Sequence, residues 1–358
     1  MPADRRNAAF GHGPVAEFRK PVKTGDVYAR GHMLAENALG EAPVWVMPVS
    51  KAWFAHSANP KHFEAFRHYL RQKYCKFIME DSPFYISYIG DIGSKSAMDK
   101  MAMVAMETRA LAIMDIKEMS SVQAVMDFAD RIKITGIPAH HAHMVIPGTW
   151  VYALGAFDVD FYTDDQGLLK RRERQMAVPS SGAIIGKLLD VPPGYYITGL
   201  ESSAILGISG VKVSYDLERI DAKQLDNRGI IMIESYGHIQ GATTANKSNN
   251  SDLRKFPKVD TANALLKDLV QYCNNKAFSK WGKKEQKGFQ QEIEIYMNRR
   301  MKQEMIDGYE IINISYDEQE ETVNIEIMVN FYEVADEFDI NLHGKRGGID
   351  VKRKEPVS

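Results

Sequence analysis

The sequence predicts an α/β layer domain followed by a smaller α+β domain, and three observations support this prediction. Between residues 83 and 152, apolar runs of strand length alternate with helical repeats, as in a parallel or mixed sheet covered by helices. Two amphipathic helical repeats follow between residues 260 and 308. A strand with strict period-two alternation comes next. The predicted boundaries are an N-terminal arm at 1–28, the α/β domain at 29–258, the α+β domain at 259–343 and a C-terminal arm at 344–358.

The elements of the α/β domain follow from apolar runs and helical stripes in chain order. The first part contains a strand at 42–49, a helix at 62–77, a strand and turn from 83, a helix at 96–109, a strand at 110–115, a helix at 122–133 capped by Ser120 or Ser121, and a strand at 141–152. The second part contains an exposed loop or hairpin at 157–173, a turn into a helix at 178–189, a helix at 216–225, a strand at 230–234 and a surface loop at 237–257. Any crossover between parallel strands should be right-handed.

The α+β domain is predicted as two helices and three strands. Asp260 or Thr261 is expected to cap the first helix, and Gly308 to end the second. The strands are placed at 310–316, 322–331 and 338–342, with an acidic hairpin loop at 317–321. The apolar side chains expected on one face of the last two strands are Val323, Ile325, Ile327, Val329, Phe331, Phe338, Ile340 and Leu342.

Composition excludes several classes of protein. The chain has 358 residues, 44% hydrophobic and 26% charged, which is ordinary for a folded protein. A formal net charge of −2 gives no strong field to recruit nucleic acid or an anionic membrane, so neither is expected as a direct partner. Cys75 and Cys273 are too few for a disulfide framework, and no apolar run suggests a secretion signal or a bilayer span. A reducing cytoplasm is the expected site of synthesis.

Potential metal ligands cluster without a recognisable ligand spacing. His140, His141 and His143 are close in sequence, and on a strand His141 and His143 would share a face. Two imidazoles still need a further ligand, so packed or surface histidines are favoured over a metal site. The acidic group at 158–165 fits no calcium loop and is interpreted as solvated. No metal is therefore predicted.

Motifs for catalysis or nucleotide binding are also missing. The stretch at 89–96 (IGDIGSKS) has the wrong spacing for a phosphate loop, and 207–211 (GISGV) lacks the second glycine of a nucleophile elbow. Ser180 and Ser181 have no nearby base in the sequence. The sequence thus predicts no enzyme and no cofactor. An α/β enzyme with an unrecognised site around His140, His141 or Asp160 stays open as an alternative.

Several segments, taken in order, resemble contractile tail sheath proteins of phages, R-type bacteriocins and related injection systems. Residues 178–186 (VPSSGAIIG) are similar to a sheath turn that opens a helix, and 221–233 (DAKQLDNRGIIMI) and 237–246 (GHIQGATTAN) resemble the segments that follow. Residues 323–342 resemble a terminal strand pair with a corner at 334–338. An acidic residue replaces the expected proline at that corner, and Thr243 stands where the family often has arginine.

The resemblance implies a structural subunit that forms hexameric rings stacked helically around an inner tail tube and contracts to drive the tube through a target envelope. It implies self-association, contacts with the inner tube protein, baseplate and tail terminator, and terminal arms that donate strands to a neighbour's C-terminal sheet. Assembly would occur in the host bacterial cytoplasm, and the product would be a virion tail or a released particle. A terminator or baseplate ring component is the alternative within the same class of assembly.

Basic residues on the second C-terminal helix are the candidate contact with the tube. They are Lys287, Arg299, Arg300 and Lys302. Screened charge pairs at such a contact can separate during contraction. A merely solvated charged face is the competing interpretation.

Overall fold

The computed structural model describes residues 85–88, 95–133, 136, 138–199, 203–215, 220–249, 251–276, 282–317, 322–332, 337–342 and 351–356. The arm predicted at 1–28, the strand at 42–49 and the helix at 62–77 lie outside the described residues. Most of the predicted acidic hairpin loop at 317–321 and most of the predicted corner at 334–338 also lie outside the described residues.

Helices and strands alternate through the first two thirds of the described chain. The helices are α1 (Lys95–Glu107), α2 (Val122–Ile132), α3 (Ser181–Asp190), α4 (Ile220–Asn227), α5 (Ser251–Arg254), α6 (Phe256–Lys276) and α7 (Lys283–Lys302), with a 3-10 helix at Ala139–His143. The strands are β1 (Tyr85–Tyr88), β2 (Leu111–Met114), β3 (Met144–Pro147), β4 (Trp150–Thr163), β5 (Leu169–Pro179), β6 (Ile208–Val211), β7 (Ile230–Ile233), β8 (Ile239–Gln240), β9 (Gly308–Asp317), β10 (Thr322–Asn330), β11 (Glu337–Leu342) and β12 (Val351–Pro356).

A five-stranded mixed sheet forms the centre of the fold, as the sequence predicted. Its strand order is β1-β2-β3-β7-β8, with parallel pairing except between β7 and β8. Strands β2, β3 and β7 are buried at every residue. Burial on both faces explains why they read as continuous apolar runs and not as alternating ones.

Helices cover both faces of this sheet. Ala112 and Met114 point to one face, where they pack in a core with side chains of α1, α2 and α4. Leu111 and Ile113 point to the other face and pack with α3 and the start of α6. The result is a three-layer α/β/α domain. Ser121 caps α2, since its side chain accepts a hydrogen bond from the Ala124 amide at 3.2 Å.

A second sheet contains the hairpin that was one of the two possibilities for residues 157–173. Its order is β5-β4-β6, and both pairings are antiparallel. Asp164 fixes the turn because its carboxylate accepts the amides of Gln166 and Leu168 at 3.0 and 2.9 Å and pairs with Lys170 at 2.7 Å. The bond from Lys170, followed by these amides, lowers the pKa of Asp164. These contacts account for one carboxylate of the acidic group at 158–165.

The strand predicted at 141–152 is wrong as a single element. Residues 139–143 form the 3-10 helix, in which the His141 amide donates to the Pro138 carbonyl at 3.0 Å. The chain then enters β3 in the central sheet, leaves it at Gly148 and starts β4 in the second sheet. His141 and His143 therefore do not share a strand face.

The surface loop predicted at 237–257 is also wrong for much of its length. It contains β8 and α5, and Thr243, Thr244 and Asn246 are buried. Buried polar groups need partners, and here they have them. The Thr244 hydroxyl donates to the Leu253 carbonyl at 2.7 Å, and the Asn246 amide side chain donates to the Pro138 carbonyl at 3.1 Å.

The two long helices differ from their predicted ends. Asp260 and Thr261 do not cap α6; they are buried inside a helix that begins at Phe256. Helix α7 ends at Lys302 and not at Gly308. Glu304, two residues after the end of α7, takes a left-handed conformation with φ 55° and turns the chain away from the helix axis. Gly308 is the first residue of β9.

The C-terminal strands form two separate pairs in the described residues. Strand β10 pairs antiparallel with β9, and β11 pairs antiparallel with β12. The predicted second and third strands are thus present, but they are not hydrogen-bonded to each other. Strand β12 falls in the segment predicted as a C-terminal arm, and here it pairs with its own chain.

Candidate functional site

The hairpin β9–β10 lies on α7 and the second half of α6. The core of this unit is formed by Leu265, Phe289, Ile293, Met297, Ile306 and Ile314. Five of the predicted sheet residues pack against it, namely Val323, Ile325, Ile327, Val329 and Phe331. Their side chains therefore stabilise their own subunit. Phe338, Ile340 and Leu342 lie on β11, and a role of all eight in an inter-subunit sheet stays a prediction.

The outer surface of the same hairpin faces solvent. Strand β10 alternates between half-buried and exposed residues along its length, which confirms the period-two pattern. Ile312 and Met328 are about half exposed on this surface, beside polar neighbours such as Asn324 and Glu326. Within the described strands, β10 is hydrogen-bonded on one side only, to β9. An edge of this kind presents backbone groups to which a further strand can add.

The four basic residues of the candidate tube contact divide into two groups on α7. Lys287, Arg299 and Lys302 are exposed, and at 100° per residue they span about 120° of the helix surface. Arg300 points elsewhere and is only 17% exposed. Three of the four can therefore meet a partner, whereas Arg300 is engaged within the chain.

Arg300 ties α7 to α6. Its guanidinium forms an ion pair with Asp268 on α6 and lies over the Tyr296 ring, 4.9 Å from the ring centre. The Tyr296 hydroxyl donates to the same carboxylate at 2.8 Å. Burial, together with the negative Asp268, raises the pKa of Tyr296, so the phenol stays protonated and keeps donating.

A second polar cluster joins the same two helices farther along. The Tyr272 hydroxyl donates to Glu292, and the Lys276 ammonium lies 3.0 Å from that carboxylate. The bond from Tyr272, followed by Lys276, lowers the pKa of Glu292. Both charged groups are nearly half exposed, so we expect this cluster to contribute less than that of Arg300.

The histidines at 140–143 have separate roles in the structure. The Nδ1 of His143 donates to the Ala110 carbonyl at 2.9 Å, and burial lowers the pKa of this imidazole. The Nε2 of His141 lies 2.8 Å from a carboxylate oxygen of Asp99 on α1, and the ring of His140 meets that of His141 edge-on. Sequence analysis missed Asp99, because nothing in its helical repeat distinguishes it from other surface carboxylates.

Two family models match nearly all of the chain beyond residue 42. Residues 43–248 match the model described as type VI secretion system TssC/VipB, central domain, and residues 256–355 match the TssC/VipB-like C-terminal domain. The chain belongs to the TssC/VipB family of contractile sheath proteins. The predicted resemblance to contractile sheaths is thereby confirmed.

Two solved structures are similar to this TssC/VipB family member over most of its length. One is a chain in a cryo-EM structure of the anti-feeding prophage baseplate, with a TM-score of 0.64 at 14% identity over 92% of this chain and 84% of the other. Another is a chain in the contracted PVC sheath complex, with a TM-score of 0.60 at 11% identity over 90% and 80%. At these identities the likeness shows a shared fold. No curated protein sequence gives a match.

Hydropathy adds one observation on the described part of the chain. None of its helices combines the length and the apolar character that crossing a membrane requires. The two longest, α6 and α7, carry charged residues along their length.

Proposed function

We propose that this TssC/VipB family protein is the repeating subunit of a contractile sheath that surrounds an inner tube. The single observation that supports this most strongly is the consecutive match of the chain to the central and C-terminal TssC/VipB models. In this proposal subunits form stacked hexameric rings in the bacterial cytoplasm. Contraction drives the tube through a target envelope, as part of a phage tail or of another injection device.

The C-terminal region supports a mechanism of linkage between subunits. Strand β10 leaves one backbone edge without a strand partner among the described strands, and β12 is a short terminal strand held by β11. We propose that the segments at 1–28 and 344–358 pair with a neighbour's C-terminal strands in the assembled sheath. Strand addition needs only backbone hydrogen bonds and pockets for alternate side chains, so extended arms can connect bodies that rotate relative to one another.

Electron microscopy tests the proposed assembly directly. The full chain is mixed with its inner tube protein and compared by negative stain with variants that lack residues 1–28 or 344–358. We expect striated tubes from the full chain and single particles or loose rings from the truncated chains. A compact monomer whose truncation changes nothing would instead favour the α/β enzyme alternative.

The exposed basic surface of α7 is the proposed contact with the tube. The double variant R299E/K302E reverses two of the three exposed candidate residues Lys287, Arg299 and Lys302, and K223E reverses an exposed charge on α4 as a control. We expect R299E/K302E to reduce co-sedimentation with tubes. Added salt should weaken the co-sedimentation of the wild type more than that of the variant, because salt screens exposed charge pairs. Equal co-sedimentation of both variants would assign the tube contact elsewhere.

A ring component of the baseplate or terminator is the second candidate. It is favoured by the likeness to a chain of the anti-feeding prophage baseplate structure. Such a component would form one closed ring under the conditions in which a sheath protein forms stacked rings. The same micrographs therefore distinguish the two candidates.

A further inference from the structure

A cluster of three metal-ligating side chains lies on α1 and the 3-10 helix of the α/β domain. Asp99 on α1 and His140 and His141 on the 3-10 helix each offer a ligand atom, and these atoms lie within 4.8 Å of one another. Among the described residues this is the one group of three such side chains. The group could not be recognised from the sequence, since Asp99 is 41 positions before His140.

We propose that Asp99, His140 and His141 form a binding site for a divalent transition-metal ion of the Zn²⁺, Co²⁺ or Ni²⁺ class. Two imidazoles and one carboxylate are the donor set that suits these ions and discriminates against Ca²⁺ and Mg²⁺. Three protein ligands leave at least one coordination position open to water or another group. The site does not depend on the proposed function.

The geometry of the two rings fits a common ion. The ring centres of His140 and His141 are 4.5 Å apart and the ring planes are nearly perpendicular, at 82°. Ligand atoms bound to one zinc at about 2.0–2.2 Å lie about 3–3.5 Å apart in a tetrahedron. The ligand atoms, which lie within 4.8 Å of one another, would have to approach by at most about 1–2 Å to reach this spacing, and rotation of the half-buried His140 and Asp99 side chains can supply such a movement.

The surroundings hold the buried His141 ring in place and leave its Nε2 facing the cluster. A Cβ at Gly136 would lie 2.8 Å from Cε1 and Nδ1 of His141, so the backbone packs directly against the ring. Nδ1 has no hydrogen-bond partner among the described residues, and Nε2 faces Asp99. Nε2 can therefore carry a proton toward the carboxylate or give its lone pair to a metal. Asp99 and His140 are partly exposed, which supplies a path of entry.

The test uses untagged full-length protein, stripped with a chelator and then titrated with Co²⁺ and Zn²⁺. H140A is the informative variant, because it removes one ligand and leaves the bond between His141 and Asp99 in place. H238A is the matched control, since His238 lies outside the cluster and contacts Ser203. Circular dichroism verifies that each variant is folded.

We expect wild type and H238A to bind one equivalent of Co²⁺ with visible d–d absorption and to release it to Zn²⁺. H140A should bind at this site at least about tenfold more weakly, because even the loss of a residue that only orients a ligand costs about 10- to 100-fold. D99N should show the same loss. Identical metal content and spectra in wild type and folded H140A would overturn the proposal and leave Asp99 and His141 as a structural pair only.

Discussion

Replacing Arg300 separates the folding role of the basic helix from its proposed contact with the tube. R300A removes the ion pair to Asp268 and the contact with the Tyr296 ring, at a site where the two charged side chains are 17% and 25% exposed. A charged hydrogen bond contributes about 1.5–3 kcal/mol and a cation–π contact about 0.5–2 kcal/mol. The Tyr296 hydroxyl still donates to Asp268 in the variant, which limits the loss. We expect the free energy of unfolding to fall by about 2–3 kcal/mol.

The measurement is urea unfolding of the dispersed chain, followed by circular dichroism. R299A is the matched control, because Arg299 is the next residue on α7 and is exposed, so its loss should stay within about 0.5 kcal/mol. R300K keeps the charge but loses the planar fork, so its stability should fall between the two. Equal stabilities for R300A and R299A would refute the assignment of Arg300 to the subunit's own packing.

Three further changes test the fold. G194A should lower the free energy of unfolding by about 2–4 kcal/mol, because Gly194 has φ +90° and a Cβ there would lie 2.8 Å from the Thr261 hydroxyl. G167A, with φ +78° and open space around the Cβ, should cost about 1 kcal/mol. Equal losses in melting experiments would contradict the packing argument. Burial lowers the pKa of Lys247 to about 8, so between about pH 8 and 10.5 the unfolded chain binds more protons than the folded chain, and the free energy of unfolding rises with pH. K247M should reduce this slope by up to about 1.4 kcal/mol per pH unit in denaturation curves. An unchanged slope would argue against burial of the ammonium. F256A should lower the free energy of unfolding by about 3–5 kcal/mol, since Phe256 is fully buried. V270A, at an exposed position of the same helix, should lower it by less than about 1 kcal/mol. Similar values would show that the start of α6 is not packed as described.

Periodicity predicted the elements whose burial is uniform along one face. Strands β2 and β7 are apolar at every position, and α2 and α7 carry apolar stripes at three- and four-residue spacing, so their patterns survive in the fold. The same holds for the alternation of β10. In these cases the local pattern and the tertiary environment impose the same requirement, and a single sequence is then sufficient.

The errors fall where polar residues are buried by distant partners. Thr244 and Asn246 look like loop residues, yet their hydrogen bonds to Leu253 and Pro138 place them in the interior. Asp260 resembles an N-cap, but the Tyr85 hydroxyl, from the first described strand, donates to its carboxylate at 3.0 Å inside α6. Asp99 reaches His141 from another helix. Such pairings depend on the tertiary structure of the chain, and local residue spacing does not predict them.

Helix α6 contributes to two of the three hydrophobic cores, and this bears on how a contracting sheath would change shape. Phe256 and Val259 pack on the central sheet, whereas Leu265 packs with α7 and the β9–β10 hairpin. Bending α6 between these residues would break helical hydrogen bonds and expose both cores. The loop at Gly194 adds a second connection, because a Cβ there would lie only 2.8 Å from the Thr261 hydroxyl and 3.1 Å from the Met305 carbonyl, so the backbone packs closely against both. We therefore expect each subunit to move as one body, with the change confined to contacts between chains at exposed edges and arms.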